Sequence, residues 1–87
     1  MKSLEERLND IIMQIDETEF NLRVCSKHTH FMYEMKKIAP EENEFTDYDR
    51  QIGQDAYKRM FLQDKLRKLM EQSFELQEKI LNGDEDE

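Results

Sequence analysis

One cysteine and two histidines lie close together in this 87-residue chain, as Cys25, His28 and His30. On a helix, Cys25 and His28 are three residues apart and can share a face, so the pair could bind a transition metal. His28 and His30 are two apart and point in different directions, and no second cluster supplies the remaining ligands. We therefore expect no metal and no cofactor, with Cys25 as a buried thiol and both imidazoles at the surface.

Cys25 could also act as a nucleophile, with His28 one turn away as its base. Such chemistry needs oxyanion donors, and the sequence has neither a Gly-rich turn nor a Ser-His-Asp order to accompany the pair. We expect no catalytic residues and no enzymatic activity.

A basic and polar group of side chains is the third candidate site. Guanidinium and ammonium groups provide the donors that a nucleotide-like anion needs. The residues that could hold such a small molecule are Lys27, His28, Thr29, Asp55, Lys58 and Arg59. The simpler alternative is a solvated flank in which an Asp55–Arg59 ion pair, four residues apart on one helix, sets the packing register.

The first of two helical segments must position Cys25 and the histidines. Ser3 followed by Glu6 matches a capping box, and residues suited to a packing seam then recur at alternating steps of four and three. This pattern predicts a helix over about 3–37, which Pro40 ends. The first stripe consists of Leu4, Leu8, Ile11, Ile15, Thr18, Leu22, Cys25, Thr29 and Met32.

A second helix is predicted over about 47–81, after a connector at about 38–46. It could start at Pro40, with acids in its first turn, or at Thr46 as the N-cap, which we favour. Asn82 and Gly83 predict a left-handed cap at its end. The second stripe consists of Tyr48, Ile52, Asp55, Arg59, Leu62, Leu66, Leu69, Ser73, Leu76 and Ile80.

The two stripes match when the chain folds back on itself and paired residue numbers sum to 84. Leu8 then meets Leu76, Thr29 meets Asp55, and Cys25 meets Arg59. Because the steps stay in phase, we predict an all-α fold of two long antiparallel helices, a helical hairpin. We call the polar layers at 25–29 and 55–59 the polar notch.

More apolar side chains are present than a two-helix seam can bury. We place Ile12, Phe20, Val24, Phe31 and Met35 beside the first stripe, and Met60, Phe61, Met70, Phe74 and Leu81 beside the second. Since chains of this size are marginally stable alone, we expect a homodimer forming a four-helix bundle, or a higher oligomer, unless the face binds another protein. The predicted interface residues are Ile12, Phe20, Phe31, Met35, Met60, Phe61 and Phe74.

The formal charge of −8 is concentrated in the connector and the tail. The predicted domain covers residues 1–82, and four acids follow Gly83 in a tail at 83–87 that we expect to be disordered. The connector acids could imitate nucleic-acid phosphates, although solubilising charge is the simpler interpretation. They are Glu41, Glu42, Glu44, Asp47 and Asp49.

The sequence therefore favours a small non-enzymatic interaction protein, a regulator, adaptor or inhibitor that binds another protein through a Met/Phe-rich helical face. Binding of an anionic small molecule and nucleic-acid mimicry are the alternatives. Direct nucleic-acid binding is not expected, because an acidic chain repels phosphate. Membrane attachment is not expected either. A single Cys and the absence of a secretory signal favour the cytoplasm.

Overall fold

The computed structural model describes residues 2–38 and 47–83. They form two α-helices of 35 residues each, α1 (Leu4–Ile38) and α2 (Asp47–Leu81), which pack antiparallel along their length. The principal extents are 63 × 20 × 14 Å, so the molecule is a rod one helix thick in its shortest direction. The predicted all-α helical hairpin is confirmed, and each helix boundary differs from its predicted position by at most one residue.

The first turn of α1 contains the predicted capping box. The Glu6 backbone N–H donates to Ser3 Oγ at 3.1 Å, and the Ser3 backbone N–H donates to Glu6 Oε1 at 3.4 Å. These bonds satisfy N–H groups that have no partner within the helix. The start of α1 is therefore encoded locally, by two side chains three residues apart.

The end of α2 is closed by a glycine in the left-handed region. Gly83 has φ 73°, and its N–H donates to the Ile80 carbonyl at 3.1 Å, while the Asn82 N–H donates to the Glu78 carbonyl at 2.9 Å. Glycine adopts this φ without the steric cost of a Cβ atom. The predicted cap is confirmed, whereas Pro40, Thr46 and the tail at 84–87 lie outside the described residues.

The core is a single seam between the helices, built from the two predicted stripes. Every buried side chain in the described part of the chain belongs to one of them: Leu4, Thr18, Cys25 and Met32 from α1, and Leu62, Leu69, Ser73 and Leu76 from α2. Thr18 is satisfied by donating to the Gln14 carbonyl at 2.7 Å, and Ser73 Oγ accepts from Gln77 Nε2 at 2.9 Å. The other stripe positions are half-buried, as expected of a seam without a second layer.

The predicted pairing of the helices is confirmed at the polar notch. Thr29 Oγ1 hydrogen-bonds Asp55 Oδ2 at 3.0 Å, and their residue numbers sum to 84 as predicted. Nearer the connector, Lys36 forms an ion pair with Asp49, in a register one residue away. The two contacts place the helices side by side in the half of the hairpin that contains the notch.

Replacing Gly53 by Ala should stabilise the hairpin. Gly53 lies in the interior of α2, and a Cβ atom built there meets nothing within 4 Å. We expect Gly53→Ala to raise the free energy of unfolding by about 0.5–1 kcal/mol, because glycine costs that much in a helix interior. Urea unfolding followed by circular dichroism, at one fixed protein concentration, measures the change.

Gly83→Ala is the matched control for this substitution. It adds the same methyl group in open space but at φ 73°, where an L-residue is strained, so it should lower the free energy of unfolding by about 1 kcal/mol. A destabilised Gly53→Ala variant contradicts the account of α2.

Candidate functional site

The polar notch is organised around the carboxylate of Asp55. Its Oδ2 atom lies 2.6 Å from His28 Nδ1 and 3.0 Å from Thr29 Oγ1, both on the opposite helix. The Thr29 hydroxyl also lies 3.0 Å from the Cys25 carbonyl, so its single proton is shared between two acceptors. The Cys25 thiol donates to the Asp55 backbone carbonyl at 3.3 Å.

These contacts make the notch a connection between the helices. The Asp55 side chain is only 13% exposed, so removing its cross-helix donors would leave a poorly solvated charge. Cys25 is buried and its thiol faces a carbonyl, the arrangement of a small hydrophobe with a weak donor. Cys25 and His28 both contact Asp55, Cys25 at its backbone carbonyl and His28 at its carboxylate.

The predicted Asp55–Arg59 ion pair is wrong. Within the described residues, the Asp55 carboxylate takes its partners from α1, and Arg59 forms no ion pair. The physical reason is the register: Asp55 lies directly opposite Thr29, so cross-helix donors are nearer than a residue one turn along its own helix. The spacing of four on α2 favours Arg59 as the partner of Asp55, and no local signal in the sequence points to His28 on the other helix.

The structure brings together half of the predicted anion-binding residues. His28, Thr29 and Asp55 meet, whereas Lys27 and Lys58 are exposed, Arg59 is half-buried, and the three cations make no hydrogen bond or ion pair with any described residue. A carboxylate at the centre of the group repels an anion. Binding of an anionic small molecule therefore stays a prediction without a feature of the notch to support it.

The other polar side chains bear on two further kinds of site, a metal site and a ligand groove. Among residues 2–38 and 47–83, no three Cys, His, Asp or Glu side chains are placed to hold a metal ion. A surface groove of about 300 Å³ between the helices is lined by both signs of charge, among them Asp10, Glu75 and Lys79.

The acids proposed for nucleic-acid mimicry fall largely beyond what the structure describes. Glu41, Glu42 and Glu44 lie outside it, and the two remaining acids, in the first turn of α2, pair with cations. Asp47 contacts Arg50 at 3.1 Å, and Asp49 contacts Lys36. Mimicry stays a prediction.

A row of exposed apolar side chains lies on the face of α1 opposite the seam. We call it the α1 outer stripe, and it consists of Met13, Phe20, Val24, Phe31 and Ile38. These side chains are 49–75% exposed. At about 100° per residue they fall within an arc of roughly 40°. An exposed apolar stripe of this kind is a candidate contact surface.

The placement of Phe20, Val24 and Phe31 beside the first stripe is therefore wrong. Phe20 is two residues from the buried Thr18, which turns it about 200° around the helix and away from α2. The spacing of seven, four and seven from Met13 to Phe31 is visible in the sequence, and it marks a separate stripe rather than a wider first one.

A second exposed apolar surface lies along one side of α2. We call it the α2 flank, and it consists of Met60, Met70, Phe74 and Leu81 with Ile12 of α1. Ile12 is 41% exposed and the four α2 side chains are 46–84% exposed. The register places Ile12 at the level of residue 72, between Met70 and Phe74, on the same side of the seam. Phe61 lies on the other side of α2, beside Tyr57, and Met35 is half-buried rather than part of an open face.

Charged side chains on α2 form a local network beside the α2 flank. Arg67 contacts Asp64 at 2.9 Å and Glu71 at 2.8 Å, and Lys68 contacts Asp64 at 3.1 Å. A hydrogen bond from Arg67, and to a smaller extent one from Lys68, holds the pKa of the Asp64 carboxyl below its ordinary value. The same hydrogen bond with Asp64 raises the pKa of Arg67. Since all four groups are well exposed, the network contributes little to stability.

Comparison with known proteins gives no relative: no family model, no curated protein and no solved structure matches the chain. Neither α1 nor α2 is long and apolar enough to cross a membrane. The described residues therefore offer three candidate sites: a polar notch whose carboxylate is hydrogen-bonded, and two exposed apolar surfaces.

A double-mutant cycle tests whether the notch connects the helices. Thr29→Val and Asp55→Ala should each destabilise the hairpin, with a coupling energy of about 0.5–1.5 kcal/mol, because each change removes one end of the same hydrogen bond. Urea unfolding of the four proteins measures it.

The matched control cycle combines Asp55→Ala with Arg59→Ala. Its coupling should stay within about 0.5 kcal/mol, the upper value for opposite charges one helical turn apart, because these two side chains form no ion pair. A Thr29–Asp55 coupling as small as this control contradicts the proposed connection.

Proposed function

We propose that this chain is a non-enzymatic interaction protein, and that its α2 flank binds an amphipathic helix of another protein. The observation that carries the proposal is the row of large apolar side chains on this flank, with Met60 68%, Phe74 64% and Leu81 84% exposed. Large apolar patches on a protein surface are typical of protein-binding sites. No group of three metal-ligating side chains among the described residues offers a competing explanation.

The shape of the α2 flank favours a helical partner. Met60, Phe74 and Leu81 recur at multiples of seven residues, and Met70 precedes Phe74 by one turn, so the four side chains form a ridge within an arc of roughly 80° on one side of the helix. A partner helix can lay its own apolar stripe against such a ridge. Two of the four α2 side chains are methionines, whose flexible thioethers adapt to the partner's shape.

The charge around the α2 flank favours a basic partner. Exposed acids border it on both helices: Glu5 and Glu19 on α1, and Asp64, Glu71 and Glu78 on α2. Of the cations near the flank, Arg67 is already paired with Asp64 and Glu71, and Arg23 of α1 lies over the Phe20 ring. A partner helix with Lys or Arg beside its apolar stripe would complement this rim and associate faster at low salt.

Replacing Phe74 should weaken capture of the partner. Phe74→Gln removes a central apolar contact, and we expect the dissociation constant for the partner to rise at least about tenfold, since central aromatic residues contribute most to such interfaces. Affinity capture from the cells that naturally produce the chain, with quantitative mass spectrometry, identifies the partner. Calorimetry with the purified partner then measures the constant.

Phe61→Gln is the matched control, because Phe61 is 66% exposed against 64% for Phe74 but lies on the other side of α2. It should retain the partner at the wild-type level. Equal losses for the two variants, or no protein retained by the wild-type chain above the Phe74→Gln background, contradict the proposal.

A further inference from the structure

The α1 outer stripe continues through two charged residues to form a complete heptad pattern. Glu17 and Lys27 fill the gaps between its apolar members, so that the steps become four, three, four, three and four. Between residues 13 and 31 the full set is Met13, Glu17, Phe20, Val24, Lys27 and Phe31; Ile38 lies beyond this part, and its mirror position about residue 22 is Glu6. All six side chains are exposed on the face opposite the seam. Alternating steps of four and three are the signature of a helix that packs along another helix.

This pattern is self-complementary about residue 22. Met13 mirrors Phe31, Phe20 mirrors Val24, and Glu17 mirrors Lys27, each pair of numbers summing to 44. Apolar residues thus mirror apolar residues, and the acid mirrors the base. A contact between two identical surfaces about a twofold axis needs this symmetry, because residue i must complement residue j when j complements i.

We propose that a second copy of this chain docks on the α1 outer stripe, with the two α1 helices antiparallel and the twofold axis at the level of residue 22. In this arrangement Phe20 of each copy packs against Val24 of the other, and Met13 packs against Phe31. Glu17 of each copy lies against Lys27 of the other. The four helices of the dimer then form two hairpins joined through their outer faces.

The charge distribution along α1 fixes the antiparallel orientation. Residues 5–19 carry six acids and one base, whereas residues 23–37 carry four bases and one acid. Antiparallel pairing places each acidic half against a basic half, and parallel pairing places like charges together. Glu17 and Lys27 have no ion-pair partner among the described residues, so both are available to the second copy.

One layer of the proposed contact pairs two acids, Asp10 and Glu34. Each is already neutralised on its own chain, since Lys2 contacts Asp10 and Lys37 contacts Glu34 at 3.3 Å. Near the axis, the Arg23 guanidinium lies 5.9 Å from the centre of the Phe20 ring and adds a cation beside the apolar contact. Because residues 10 and 34 lie beyond Met13 and Phe31, the acid pair occurs once at each end of the interface, where solvent screens the repulsion.

The surface area that the α1 outer stripe can bury is typical of a weak dimer. Four large apolar side chains per copy, together with the stems of Glu17 and Lys27, bury on the order of 1,000–1,500 Å² in total, the lower end of specific interfaces. We expect association at micromolar concentration, weakened by salt because the ion pairs are accessible to solvent.

Charge exchange between positions 17 and 27 tests both the contact and its orientation. Glu17→Lys brings the introduced lysine against Lys27 of the other copy, twice in a dimer, and Lys27→Glu likewise brings the introduced glutamate against Glu17. Each variant alone should dimerise at least about tenfold more weakly than the wild type. The Glu17→Lys copy has lysine at both positions, and the Lys27→Glu copy has glutamate at both. In a mixed dimer both contacts therefore pair a lysine with a glutamate, so an equimolar mixture of the two variants should regain the wild-type affinity. Sedimentation equilibrium over a concentration series measures all three.

Circular dichroism is the folding control for the charge variants. Positions 17 and 27 are exposed and have no ion-pair partner within the described part of the chain, so both variants should form intact hairpins. A wild-type chain that stays monomeric at about 100 µM contradicts the inference, as do single variants that dimerise like the wild type or a mixture that stays as weak as its components. Phe74→Gln should leave dimerisation unchanged, which separates this contact from binding at the α2 flank.

Discussion

Two helices packed side by side can bury only one stripe of each other, and this constraint determines what the rest of the molecule can do. The seam takes its members at alternating steps of four and three from both helices, and it leaves a rod only 14 Å across in its shortest direction. No second layer exists among the described residues to cover the remaining apolar side chains. Their exposure is thus a consequence of the fold, and both proposed contacts depend on it.

Within the seam, the Asp55 carboxylate supplies the specificity that leucines alone would not. A stripe of similar apolar residues tolerates slippage by one heptad, because leucine can replace leucine in each layer. Asp55 is satisfied only where His28 and Thr29 lie opposite it, so slippage would leave a charge without its donors. The polar notch is best understood as the element that fixes the register, and the fixed register in turn sets which residues form the α1 outer stripe and the α2 flank.

The elements and their pairing could be predicted from the sequence because they rest on local or periodic signals. Ser3 and Glu6 specify the start of α1, Gly83 specifies the end of α2, and the repeat in the stripes gives the Thr29–Asp55 pairing. The contact of His28 with Asp55 could not be predicted, because Arg59 on the same helix and His28 across the seam compete by distances that only the packed helices define. Phe20 and Phe31 were misplaced because a wide apolar face and two opposite stripes have similar composition, and only their angle around the helix separates them.

The methionines report on all three surfaces and allow the most direct test. Met32 is in the seam and 7% exposed, Met13 is in the α1 outer stripe at 69%, and Met60 is in the α2 flank at 68%. Limited peroxide oxidation, followed by peptide mass spectrometry, gives a rate for each thioether. The account predicts that Met32 reacts far more slowly than the other two in dilute solution, and that Met13 alone becomes protected as the protein concentration rises. Oxidation of Met32 as fast as Met13 and Met60 in the folded chain would contradict the single seam on which the account rests.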